Sequence, residues 1–149
     1  MDLSRPPVTN MSLEEKRDKL ISDLQFFDDP QDRLAFVIDL AKNYERLPDE
    51  LKTDEYKVEG CLSNLWFVPD MVEGKCRFRS DGDSMIVKGI AGLLTTFYTG
   101  ETPEDVLKMD PSFLAKAGIT QHLSQNRKNG LGRVWQKIQN FAAGQIDAS

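Results

Sequence analysis

Helical periodicity at both ends of the chain, with a strand hairpin between them, makes this an α+β sequence. Up to about residue 44 apolar residues recur at helical spacing. From Tyr56 the pattern becomes strand-like, and beyond residue 84 helical spacing returns.

Residues 1–11 carry Pro6 and Pro7 without periodicity and read as a flexible tail. Residues 12–149 read as one domain. Ser12 with Glu15 forms a capping box, and Leu13, Leu20, Ile21 and Leu24 follow at helical spacing. Asp29, Pro30 and Asp32 open a second helix, since proline is tolerated at the first helical position and carboxylates suit the positive end. Its apolar stripe is Leu34, Val37, Ile38, Ala41 and Tyr44, and it stops before Pro48. Leu65–Val68 then reads as a strand, 69–74 as a long turn, and Lys75–Arg79 as a second, strictly alternating strand. In that strand Cys76 and Phe78 share one face, so Cys76 is expected in the core as a small buried hydrophobe. After the turn at 80–83, a helix carries Ile86, Ile90, Leu93, Leu94 and Phe97, with Asp83 expected as its cap. Gly89 and Gly92 inside it suggest close packing against a neighbour. Thr102 and Pro103 start a short helix, Pro111 to Ala117 another, with Gly118 as its stop. The last helix uses Leu131, Val134, Trp135, Ile138 and Phe141. Both Trp66 and Trp135 are expected in the core.

The chain has 149 residues, 40% of them apolar and 29% charged, enough for one ordinary core. Two cysteines and one histidine cannot supply the four ligands of a structural zinc or a protein-held iron–sulfur cluster, so neither metal nor cofactor is expected. The start of the chain does not resemble a secretory signal, and no apolar run reaches the roughly 18 residues of a membrane span. A reduced, cytoplasmic protein is the expectation. A net charge of -5 disfavours nucleic acid, which calls for a basic face.

Cys61 stands out chemically. It lies behind a glycine and ahead of an apolar, aromatic-rich strand signal, where a loop thiol can be rigidly held yet reached by another protein. A cysteine in such a place is more often a packed small residue than a reactive one. If Val68 pairs with Lys75, Cys76 faces Phe67 and Cys61 falls opposite Gly82. The two thiols are then roughly 20 Å apart, too far for a disulfide. That register also sets Cys61 beside the start of the helix at 84, whose positive end favours a thiolate, while Asp81 and Asp83 oppose it.

Four ordered segments carry a family resemblance: GCLSNLWFV at 60–68, KCRFRSDGD at 75–83, IVKGIAGLLTTFYTGETPEDV at 86–106 and TQHLSQNRKNGL at 120–131. Together they resemble the SufE family of sulfur-acceptor proteins, over most of the chain from the second helix onward. The resemblance implies a compact SufE/IscU-like α+β fold with a small antiparallel sheet, about three strands, covered by helices. It implies that Cys61 takes sulfane sulfur from the persulfide of a partner cysteine desulfurase (SufS-like or CsdA-like), stimulates that enzyme, and passes sulfur to an iron–sulfur scaffold complex. Asp83 matches the family's acidic position beside the active cysteine, Arg127 its nearby arginine, and His122 lies in the same TQHL segment; Ser63 is counted with these supporting residues. Leu62 and Asn64 stand where the family usually has glutamine or another polar residue, which bears on partner choice.

Such transfer is thiol exchange and needs one nucleophilic cysteine; the pyridoxal phosphate chemistry belongs to the partner. The protein is thus expected to be a carrier with a transient persulfide, monomeric, rather than a stand-alone enzyme, with Cys61 shielded until docking. Taken alone, Arg127 reads as a solvated charge at a helix start, His122 as a capping or packing residue, and Ser63 and Asn64 as residues that turn the chain into the strand. Two other classes stay open: a noncatalytic module that activates a desulfurase, and a thiol hydrolase or peroxidase, which would need a base or resolving thiol that the sequence does not place.

Overall fold

The computed structural model describes residues 12–43, 46–59, 64–120, 123 and 125–148, the side chains of Asn126, Arg127 and Ala148 excepted. The order is α1 (Leu13–Gln25), α2 (Pro30–Ala41), a single 3-10 turn (Asp49–Leu51), β1 (Leu65–Val72), β2 (Lys75–Gly82), α3 (Met85–Tyr98), α4 (Pro103–Leu107), α5 (Phe113–Lys116) and α6 (Gln125–Ala148).

Helix starts follow their caps. Ser12 and Glu15 form the reciprocal box at α1, the Asp29 side chain accepts from Gln31 N–H ahead of Pro30, and the Thr102 side chain accepts from Asp105 N–H. Gly118 has φ 81, the left-handed value that lets the chain leave α5. At α3 the expectation fails: Ser84, not Asp83, is the N-cap, its side chain accepting from Val87 N–H. Asp83 is one residue too early to reach that amide.

The hairpin also differs from expectation. β1 and β2 pair from Leu65↔Gly82 to Val72↔Lys75, so Cys76 faces Met71 and not Phe67. The loop is only two residues, Glu73 (φ 53) and Gly74 (φ 80), both in the positive-φ region that tight hairpin turns demand. Pro69 made the segment read as turn, yet it sits inside β1. Phe67 N–H donates outward to Tyr56 C=O, so odd-numbered positions of β1 point their backbone groups away from β2, and Pro69 gives up no bond of the hairpin ladder. Among the described residues an isolated bridge, and not a full third strand, joins Lys57 to Trp66 along that outer edge.

The inner face of the hairpin (Leu65, Phe67, Cys76, Phe78) packs into one hydrophobic cluster with residues from α1 to α6. Phe78 meets Phe67 at 5.8 Å and Phe141 at 5.8 Å, and Tyr98 meets Trp135 at 5.1 Å. Trp66, expected in that core, lies on the opposite face, because it alternates with buried Leu65 and Phe67; there it is half-buried under the Lys52 ammonium, 5.7 Å from the ring centroid. α3 is the central helix. At Gly89 a Cβ would stand 3.2 Å from the Val37 carbonyl oxygen, so α2 and α3 touch backbone to backbone. Lys16 fastens α1 to the end of α3, its ammonium 3.1 Å from Phe97 O, 3.3 Å from Thr99 O and 2.6 Å from Glu101.

Candidate functional site

Of the residues singled out by sequence, Cys61, Leu62, Ser63 and His122 lie outside the described residues, as does Tyr44 of the expected α2 stripe. Arg127 is the third residue of α6, with its side chain also outside them. The frame that carries Cys61 is described. On its two sides Val58 and Leu65 are joined by a hydrogen bond, Val58 N–H donating to Leu65 C=O at 2.8 Å. Both residues are 1% exposed, so the chain is anchored in the core on either side of Cys61.

Asn64 is tied to the start of α3. Its carbonyl accepts from Asp83 N–H at 3.1 Å, and its side-chain amide donates to Asp83 Oδ2 at 2.7 Å. A Cβ at Gly82 would meet the Asn64 carbonyl at 3.2 Å, which is why the residue opposite Leu65 carries no side chain. Asp83 is exposed. The expected pairing of Cys61 with Gly82 is overturned, since Leu65 occupies that place. The ladder still separates the two thiols. Cys76 lies opposite Met71, roughly 23 Å along the strand from Asn64, and three residues of chain span at most about 11 Å, which puts position 61 beyond disulfide reach of Cys76.

Cys76 is a free thiol, 1% exposed in the core. Burial first, then the nearby Glu104 carboxylate, pushes it up to about 11, so it stays protonated and inert.

Sequence reasoning overlooked Asp81 as an anchor. It is 3% exposed, opposite Trp66, and its carboxylate accepts from Gly82 N–H at 2.9 Å and Leu47 N–H at 3.3 Å. Lys52 (3.4 Å) and Lys88 (3.5 Å) flank it. Burial pushes this carboxyl up, but the Gly82 amide, Lys88, Lys52 and the Leu47 amide together outweigh burial and hold it below the usual carboxylate range. Its charge is thus matched within the cluster. The available signal was the alternation Lys75, Arg77, Arg79, Asp81, which continues β2 through what had read as a turn. Among the described residues no group of three or more His, Cys, Asp or Glu is placed to hold a metal ion, and no helix is long and apolar enough to cross a membrane.

A family model described as SufE, Fe-S metabolism associated domain, matches residues 18–142. The chain belongs to the SufE family. It is 32% identical over 136 residues to an uncharacterized SufE-like protein of Rhizobium meliloti (strain 1021), covering 88% of this chain and 97% of that one. It is also 28% identical over 135 residues to an uncharacterized SufE-like protein of Synechocystis, covering 91% and 85%. With SufE-like protein 1, chloroplastic/mitochondrial, of Arabidopsis thaliana the identity is 30% over 131 residues, 87% of this chain and 35% of the plant protein. A solution structure of a hypothetical protein from Thermus thermophilus shares the fold at TM-score 0.70 and 21% identity, covering 96% of this chain and 99% of that one. Membership of the SufE family associates the chain with iron–sulfur metabolism.

Proposed function

We propose that this SufE-family protein is a sulfur acceptor whose Cys61 takes sulfane sulfur from a cysteine desulfurase and hands it to an iron–sulfur scaffold, in the reducing cytoplasm. The Cys61 thiolate attacks the outer sulfur of the donor's cysteine persulfide, the donor's S–S bond breaks, and the donor cysteine leaves as thiolate. Cys61 becomes the persulfide with no net change of oxidation state, so no cofactor is needed on this chain.

The observation that carries the reading is the division between the two cysteines. Cys76 is buried and held protonated. Cys61 lies in sequence between Val58 and Leu65, which are joined by a hydrogen bond, and close to Asn64, which is held to Asp83. Fixed flanks in the chain suit a thiol that must meet one macromolecule and then another. Asp83, Arg127, His122 and Ser63 are assigned supporting roles around it.

The test is incubation with cysteine and a desulfurase, followed by intact-mass measurement of wild type and Cys61→Ala. A gain of one sulfur mass on wild type alone supports transfer. Stimulation of the desulfurase by both forms, without any mass gain, would replace this reading with that of a noncatalytic activator.

A further inference from the structure

Strand alternation gives the outer face of the hairpin four cross-strand pairs: Trp66↔Asp81, Val68↔Arg79, Asp70↔Arg77 and Val72↔Lys75. The Asp81 end is closed, its carboxylate buried between Lys52 and Lys88. Exposure rises from there towards the turn, from 27% at the Arg79 side chain to 43% at Arg77 and 45% at Val72. Lys52, Lys75, Arg77, Arg79 and Lys88 share two carboxylates on this face, Asp70 and Asp81, with Glu73 beside them in the turn. In a chain of net charge -5 this is a basic surface on an acidic protein.

The charges on it are unequally matched. Arg77 engages both oxygens of Asp70, Nε donating to Oδ1 at 2.7 Å and Nη2 to Oδ2. Arg79 approaches the same carboxylate only to 3.5 Å, long for a charge-assisted hydrogen bond. Asp70 is held below the usual carboxylate range first by the Arg77 hydrogen bond, against burial, and least by Arg79. Arg79 Nε is buried without a hydrogen-bond partner, a costly state for a charged donor. Asp70 is thus committed to Arg77, and the Arg79 guanidinium has donors to spare.

We propose that the open part of this face, formed by Arg79, Arg77, Lys75 and Val72, is a docking surface for a carboxylate-bearing segment of a partner protein, with Arg79 as its anchor. The surface does not involve Cys61, and it serves whether or not that thiol carries sulfur. A partner carboxylate matches the forked donors of a guanidinium. Val72 and the alkyl stems of Lys75 and Arg77 offer an apolar neighbour to the side chain beside it, and arginine is a residue in which interface binding energy concentrates. Nucleic acid is disfavoured by the net charge of -5, and a second copy by the repulsion between two chains that both carry it.

The probe is a short capped peptide of alternating glutamate and leucine, titrated into the full chain and followed by amide chemical shifts. It should shift amides of residues 68–72 and 75–79 with a Kd of about 1 mM or tighter, and its charge-reversed lysine and leucine counterpart should not. Arg79→Gln, which leaves the Asp70–Arg77 pair in place, should weaken binding at least about threefold, and raising the salt from about 50 to 300 mM should weaken it further. If Arg79→Gln does not fold, Lys75→Gln, at an exposed position of the same face, takes its place with the same sign. The proposal is overturned if the acidic peptide shifts no amide of the hairpin, or if the folded variants bind it as wild type does. It is equally overturned if inorganic phosphate at matched ionic strength gives the same shifts with the same dependence on Arg79, which would make the occupant a small anion. Sedimentation showing a wild-type dimer that Arg79→Gln dissolves would make the occupant a second copy and overturn it too.

Discussion

Val58 N–H donates to Leu65 C=O at 2.8 Å, which ties together the chain on the two sides of Cys61. Since both side chains are almost fully buried, this link is tied to global stability. Leu65→Ala should cost about 3 kcal/mol and Val58→Ala about 2 kcal/mol, from lost burial plus the cavity left behind. Urea unfolding midpoints check this. A cost below about 0.5 kcal/mol for both would show that the flanks of Cys61 are not anchored in the core.

Cys76 should be silent in the native protein. Its thiol is held up to about 11 by burial and by Glu104, so at pH 8 it offers almost no thiolate. In Cys61→Ala no thiol should react with iodoacetamide under native conditions, and one should react in urea. The sign for stability follows. A thiol pKa raised by folding gives stability that is complete below the unfolded value near 9 and is lost as pH rises towards about 11. Rapid native labelling of Cys76 would contradict its burial.

Ser84 and Asp83 are neighbours with different tasks. The Ser84 side chain accepts from Val87 N–H at 3.4 Å, so Ser84→Ala should cost about 1 kcal/mol. Asp83 is exposed and bonds to Asn64 instead, so Asp83→Ala should cost less than about 0.5 kcal/mol. It should nevertheless lower persulfide uptake, because it releases Asn64. Equal thermal destabilisation by both variants would return Asp83 to the role of helix cap.

The Asp81 carboxyl, held low by the Gly82 amide, Lys88 and Lys52 against the opposing effect of burial, makes a testable contribution to acid stability. A carboxyl pKa depressed by folding stabilises above its unfolded value near 4 and stops doing so as pH falls through the folded value. Wild type should lose its advantage over Asp81→Asn as the pH falls below the ordinary carboxylate range. A stability difference that stays constant from pH 7 to pH 2 would mean that the charge of Asp81 is not what matters.

Much of this architecture was legible because local chemistry decided it. Ser12, Asp29 and Thr102 cap the helices that their spacing announced, and Cys76 and Phe78 alternate into the core as their strand pattern required. The errors cluster where one signal stood for two environments. Pro69 signals a turn in most sequences, but at an outward-pointing position of β1 it leaves the ladder intact, and that one residue shifted the inferred hairpin register. The shift then misplaced Gly82 relative to Cys61 and hid β2's last residues, Asp81 among them. Trp66 read as core from its aromatic character, whereas strand parity puts it on the outer face. The cluster around Asp81 draws on residues 47, 52 and 88, and no local pattern could have joined them.

Two glycines make opposite predictions for the same substitution. Alanine is about 1 kcal/mol better than glycine within a helix, so Gly132→Ala, where a Cβ meets nothing within 4 Å, should stabilise the protein by up to that amount. At Gly89 the new Cβ would sit 3.2 Å from Val37 O and 3.4 Å from Ile38 Cα. Backbone atoms cannot swing aside as a side chain can, so α2 must shift away from α3 and part of their packing is lost. Gly89→Ala should therefore destabilise by about 1–2 kcal/mol despite its better helix propensity. Chemical denaturation of the two variants side by side checks both signs, and a gain in stability at position 89 would mean that α2 and α3 are not in backbone contact.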